Sequence, residues 1–192
     1  MIPTTSEPLP PPEAQLPLLE IDLLAPKYLR AVQRIDAMVY PKPWSLALLR
    51  QEIKLENRFH IVGSVHGRVV GHAGLLLIAD EAHVTTIAVD PAVRAGVGTA
   101  LMLALVDRAL VVGAAALTLE VRVSNTTARA MYARFGFVPA GVRKRYYADT
   151  NEDALVMWAG DIHEDAYAAR LEPLREGRRP VRFAHPLKGA FS

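Results

Sequence analysis

Residues 85–106 read TTIAVDPAVRAGVGTALMLALV. The opening TTIAV is rich in β-branched residues and suits a strand. Asp90-Pro91 ends it, because proline donates no backbone hydrogen bond. Gly96 and Gly98 allow a tight turn and close backbone approach to a ligand. From Gly98 to Val112 the spacing predicts a helix that is apolar almost all round, and therefore buried on more than one side. The first turn of such a helix offers unpaired N–H groups and a positive dipole end, which together suit a pyrophosphate. Arg94 would add a fixed cation beside it. The plainer alternative is that two glycines make a strand-to-helix turn and nothing more. A dinucleotide fingerprint does not fit, since Leu101 stands where a third Gly or Ala is needed. No Lys-Ser/Thr pair follows the glycines, so a Walker A loop is excluded.

Downstream, ALTLEVRV (116–123) alternates Leu and Val with Thr118, Glu120 and Arg122, the period of a strand. Glu120 then stands opposite the Leu/Val row. It is either an exposed strand residue, a desolvated carboxylate with a raised pKa, or one half of a pair with a neighbour such as Arg122. Asn125 to Phe135 reads as an amphipathic helix. Asn125 is a candidate N-cap, and Tyr132 lies on the buried stripe with Ala128, Met131 and Phe135. A packed core tyrosine would explain Tyr132 by itself. Strands are expected at 137–145 and 153–159, and Arg143-Lys144-Arg145 with Tyr146-Tyr147 could be a solvated strand end or a substrate-gripping loop.

Upstream, LLEIDLL (18–24) is strand-like and Pro26 opens a helix toward Tyr40. Pro41 and Pro43 break it, and Ser45 caps a further helix to about Asn57. FHIVGSV and RVVGHAGLLLI flank His66-Gly67, a hairpin signal, and HVTTIAV follows as the third strand. Strands mixed with returning helices argue for one α/β (α+β) domain.

The whole chain has 192 residues, 51% apolar and 22% charged, with a formal charge of +2. That balance is too small to argue for nucleic-acid binding. Zero cysteines excludes thiolate chemistry, disulfides and thiolate metal sites. The six histidines show no ligand spacing, so no metal is expected. The longest apolar stretch is too short for a membrane span, and the N-terminus lacks the pattern of a signal peptide. A cytoplasmic protein is the expectation. Six prolines fall in the first 17 residues, so 1–17 reads as an extended leader. Residues 18–162 are the expected domain. The segment 163–192 reads as a short helix near 164–175 followed by a loose basic tail.

Taken together, PWS (43–45), TTIAVDP (85–91), the GVG turn, LEVRVSN (119–125), MYARFGF (131–137) and RKRYYADTNEDALVMW (143–158) resemble the GNAT superfamily of acetyl-CoA-dependent N-acetyltransferases. The similarity is greatest to the RimI type, the ribosomal-protein-alanine N-acetyltransferases. It covers about residues 18–160 and implies a mixed, mostly antiparallel central sheet flanked by helices. It implies acetyl-CoA as co-substrate, and as acceptor a protein N-terminal α-amine, that of a small-subunit ribosomal protein. By the same resemblance Glu120 is the general base and Tyr132 the general acid. Ile87, Ala88 and Val89 line the pantetheine arm. Arg94, Ala95, Gly96, Val97, Gly98 and Thr99 cradle the pyrophosphate, and Asn125 touches the cofactor. Trp44, Tyr146 and Tyr147 shape the acceptor pocket. One departure is visible: Val93 stands where the family pattern has Gln or Arg, and Arg94 slides into that role. A lysine or small-molecule acceptor, and a non-catalytic acyl-CoA-binding module, are the alternatives. Oligomeric state is left open.

Overall fold

The computed structural model describes residues 16–93, 96–177 and 179–185. Its helix after the glycine turn is α3, Val97–Val111. Ten of its fifteen residues are buried, which is why its apolar residues surround it rather than form a stripe. Gly96 precedes it at φ 76°, a left-handed conformation that a side chain disfavours.

Eight strands make one sheet: β1 Leu19–Leu23, β2 Arg58–Val65, β3 Arg68–Ile78, β4 Glu81–Val89, β5 Ala116–Arg122, β6 Val138–Tyr147, β7 Glu152–Ala159 and β8 Val181–Phe183. Their spatial order is β6-β7-β5-β4-β3-β2-β1-β8. Only β4–β5 and β1–β8 are parallel, so the sheet is mixed and mostly antiparallel, as expected. The β2–β3 turn is His66-Gly67 with both residues at positive φ, the geometry that matches strand twist in a two-residue hairpin.

Helices cover both faces. On one lie α1, Leu29–Val39, and α2, Leu46–Glu52. They bury Val32, Ile35 and Leu49 against Val62 and Ala88. Ser45 accepts from the Leu48 N–H and so caps α2. On the other face, α3 is joined by α4, Thr126–Arg134, and α5, Asp165–Glu176. Tyr132, Leu171 and Leu174 share a core with Leu101 and Leu119.

The strand that decides the site is β4. Its pairing with β5 runs only from Glu81↔Ala116 to Val84↔Leu119. Beyond that point β4 stays with β3 as far as Val89↔Gly71, whereas β5 stays with β7 through Glu120↔Val156. The β3–β4 register slips where Gly74 meets Thr86 and Leu75 meets Val84. Thr85 is therefore an extra residue, and such a bulge bends its strand. The two parallel strands part, and a gap opens through the sheet.

The basic segment departs from expectation beyond its helix. Residues 181–183 pair in parallel with β1 and cover an edge that would otherwise present unpaired backbone groups. Three residues are too few to show a strand period in sequence. Of the leader, residues 1–15 lie outside those described, as do Arg94, Ala95, Arg178 and 186–192. Among the described residues no helix is long and apolar enough to cross a membrane.

Candidate active site

The gap between β4 and β5 opens into a cleft of about 600 Å³. Its walls include Trp44, Ile87, Glu120, Asn125, Tyr132, Tyr146 and Tyr147. These seven residues come from five separate stretches of sequence, and the fold brings them together.

Glu120 points away from Leu119 and Val121, which sit in the α3 core. Its side chain is only 7% exposed, so the reading as an exposed strand residue fails. His83 Nε2 lies 3.0 Å from Oε2, and Arg143 Nη2 lies 3.2 Å from Oε1. The register places His83 opposite Thr118, whose hydroxyl is 2.8 Å from His83 Nδ1. An ionised carboxylate only accepts, so His83 donates from Nε2 and can accept from Thr118 at Nδ1. The hydrogen bond from His83, above all, holds the Glu120 carboxyl below its ordinary pKa, and the charge of Arg143 adds to this against the effect of burial. The carboxylate is therefore held ionised, not raised. Arg122 is not its partner. That guanidinium is drawn to Asp149 at 2.8 Å and Glu152 at 3.2 Å, and stacks on the Tyr147 ring at 3.9 Å.

His83 and Arg143 were not legible as partners of Glu120. They lie 37 residues before it and 23 after it in the chain, and only strand register brings them together. The alternation of HVTT would have placed His83 on one face, but the Thr85 bulge shifts the parity beyond it.

Tyr132 is 8% exposed and its ring lies 5.8 Å from Phe137. Burial pushes its hydroxyl well above the ordinary phenol value. Asn125 is the N-cap of α4, its Oδ1 accepting from the Ala128 N–H at 3.1 Å, and it also borders the cleft. Tyr146 and Tyr147 meet edge to face at 5.2 Å. Tyr147 donates to the Glu120 carbonyl at 3.4 Å, and burial, opposed by Arg122, pushes its pKa up to about 12. A second irregularity, between Arg143 and Tyr147 on β6, re-aims these rings. Asp153 secures it by accepting from the Arg145 N–H and the Lys144 ammonium, both at 2.8 Å.

The residues assigned to the cofactor divide. Ile87 borders the gap, and its carbonyl accepts from the Tyr40 hydroxyl at 3.1 Å. Val89, two residues on, has the same orientation in the strand. Ala88 does not: its neighbour of like orientation, Asp90, donates to Val70 of β3 at 2.8 Å, and its methyl is buried beneath α1. The period of two turns it away from the gap. Ala100 donates to the Gly96 carbonyl at 3.0 Å, and Val97, Gly98 and Thr99 form the opening turn of α3, where helix N–H groups lack partners within the helix and suit a ligand. A Cβ built on Gly98 meets Met131 Sδ at 3.5 Å and Val89 Cγ2 at 3.8 Å. Those are ordinary van der Waals separations, so the fold itself would accept a methyl group between α3, α4 and β4. Arg94 and Ala95 lie outside the described residues. A free thioester arm and pyrophosphate fit this combination of open strand edge and helix start.

The Acetyltransferase (GNAT) family matches residues 29–137. The [ribosomal protein bS18]-alanine N-acetyltransferase of Escherichia coli K12 is 36% identical over 132 residues, 67% of this chain and 88% of that one. The N-alpha-acetyltransferase RimI of Mycobacterium tuberculosis is 34% identical over 60% of this chain and 74% of its own length. The crystal structure of the ribosomal-protein-S18-alanine N-acetyltransferase from Escherichia coli superposes with a TM-score of 0.68 at 34% identity, covering 74% of this chain and 93% of that chain. With more than half of its length matched, a shared sheet and relatives of one activity, the chain belongs to the GNAT family as an acetyl-CoA-dependent N-acetyltransferase of the RimI type.

Proposed function

We propose that the protein acetylates the N-terminal α-amine of a ribosomal protein, with Glu120 receiving the amine and Tyr132 facing the departing sulfur. The observation that carries this reading is that the two side chains reach one gap from opposite faces of the sheet. A thioester threaded between β4 and β5 would present its carbonyl carbon between them. The relatives named for bS18 support its N-terminal alanine as the acceptor.

An α-amine has a pKa of about 7.7–8.0, against about 10.4 for lysine. Glu120, held below its usual value by His83 and Arg143, is a weak base. It orients an α-ammonium and takes its proton directly or through a water, but is poorly matched to lysine. The free amine attacks the thioester carbonyl, the C–S bond breaks with the sulfur leaving as thiolate, and the second proton shed by the new amide nitrogen passes through water to that thiolate. Thiols have pKa values of about 8.5, whereas Tyr132 is raised well above 10. Full transfer of the Tyr132 proton would be uphill, so Tyr132 serves chiefly as a hydrogen-bond donor to the developing thiolate. The amides opening α3 bind the pyrophosphate, and Ile87 and Val89 offer backbone groups to the pantetheine. Trp44, Tyr146 and Tyr147 enclose the acceptor residue and exclude water.

The test is release of coenzyme A from acetyl-CoA. A peptide with a free N-terminal alanine is compared with the same peptide blocked at its N-terminus and carrying lysine. Turnover with the free terminus alone is expected. Turnover with the blocked lysine peptide alone would overturn the acceptor, and none with any amine despite acetyl-CoA binding would favour a binding module.

A further inference from the structure

Glu120 has two partners of different character. His83 is fixed: it is 25% exposed and both ring nitrogens are engaged, one by Glu120 and one by Thr118. Arg143 is 59% exposed and reaches Oε1 through a single nitrogen, at the end of a long flexible stem. The two contacts occupy both carboxylate oxygens. An incoming ammonium must therefore share or displace one, and the looser partner is Arg143.

We propose that Arg143 is the resident counter-ion of Glu120, exchanged for the acceptor's ammonium when the acceptor binds. This rests on the reading of Glu120 as the group that receives the amine. The exchange replaces one cation with another, so a carboxylate that is 7% exposed is never left without a compensating charge. An uncompensated one would be costly at that burial. While paired with Glu120 the guanidinium also lies 5.7 Å from the centre of the Tyr146 ring, within cation–π range, a contact that does not depend on the carboxylate. The backbone beneath it stays in place, since Asp153 holds Arg145 and Lys144. The movement is confined to one side chain.

Among the described residues, His83 and Arg143 are the groups paired with the Glu120 carboxylate, and Lys42 borders the same cleft without an ion pair to it. On β5, Arg122 is committed to Asp149 and Glu152. On β6, Tyr147 donates to the Glu120 carbonyl, not its carboxylate. From α1, Asp36 is 2.6 Å from His72 and Tyr40 is engaged by Thr86 and Ile87. Tyr132 approaches from the opposite face, and β7 sets Val156 opposite Glu120. Arg143 is thus a positioning residue that sets amine affinity and selects acceptors able to bring a positive charge.

The test uses Arg143→Gln and Arg143→Lys in the full chain. The Glu120 carboxyl is titrated by carbon-13 NMR, its signal assigned by loss in Glu120→Gln. In Arg143→Gln the titration moves up in pH, and in Arg143→Lys it returns toward wild type. The KM for the free-alanine peptide falls about two- to fivefold in Arg143→Gln, the range of a partly exposed ion pair, with kcat little changed. In the wild type, the Arg143 Nε signal shifts on adding that peptide with coenzyme A, but not on adding the blocked peptide. An unmoved titration, a raised KM in Arg143→Gln, or an Arg143 signal indifferent to the free peptide would each overturn the exchange. If the Arg143 signal shifts but no peptide is acetylated, the exchange stands and the acceptor reading fails.

Discussion

Glu120 and Tyr132 border one cleft from opposite faces of the same sheet. Glu120 alternates outward from Leu119 and Val121, whereas Tyr132 lies in the core those two residues enter. They can act on one molecule only because β4 and β5 part after Val84 and Leu119. A group held in the gap would have a carboxylate on one side and a phenol on the other.

Glu120→Gln keeps the shape and removes the charge. Its kcat/KM with the alanine peptide should fall by about 10²- to 10⁴-fold, the range for a proton-transferring side chain. The circular-dichroism spectrum should match wild type. A variant within twofold of wild type would end the assignment.

Tyr132→Phe removes one hydroxyl from a buried ring. If it donates to the thiolate, a charge-assisted bond of about 1.5–3 kcal/mol is lost. That corresponds to a fall of about ten- to a hundredfold in kcat. The KM for acetyl-CoA should hold, because the ring still packs on Phe137. Steady-state kinetics that put the loss in KM would point to packing alone.

The pH profile follows from directions already fixed by the surroundings. The Glu120 carboxyl is held low by the His83 hydrogen bond and Arg143, so it is ionised throughout the neutral range. With the acceptor bound as its ammonium and the proton passed to ionised Glu120, kcat/KM should be flat through the neutral range, and its alkaline limb should belong to the acceptor amine, falling tenfold per unit above about pH 8. That limb should shift with peptides of lower amine pKa. A limb near pH 5, independent of the peptide, would contradict this. For stability the sign is that of a depressed acid: the pairing contributes above the unfolded carboxyl's pKa. It is lost as pH falls through the lower folded value.

Two glycines separate folding from binding. A Cβ on Gly74 would lie 2.6 Å from His60 Nδ1 and 2.7 Å from Thr85 Oγ1, so Gly74→Ala should lose about 1–3 kcal/mol by overpacking. At Gly98 the nearest atom is 3.5 Å away, and alanine suits a helix better. Gly98→Ala should melt no lower than wild type yet bind acetyl-CoA several-fold more weakly. Thermal melts beside calorimetric titration check both, and unchanged affinity in Gly98→Ala would remove the pyrophosphate from the start of α3.

Local patterning was legible where its cause is local. Ser45 and Asn125 cap helices because a short polar side chain reaches the next turn. His66-Gly67 turns a hairpin because both residues tolerate positive φ. The all-round apolar run of α3 announced its burial, and the alternation of LTLEVRV set Glu120 apart from the core row. The parallel strand at 181–183 was not legible, being shorter than any period that could reveal it.

By itself, the sequence determined the element types other than β8, the faces of β5 and α4, and through its motifs the family. Only the tertiary structure decided what Glu120 meets. Propensity and period act over a few residues, so they can say which way a side chain points from its own strand. Strand register, the Thr85 bulge and the distortion of β6 carry His83, Arg143 and the tyrosine pair to that carboxylate. Those partners, not the burial inferred from an apolar strand, set its charge.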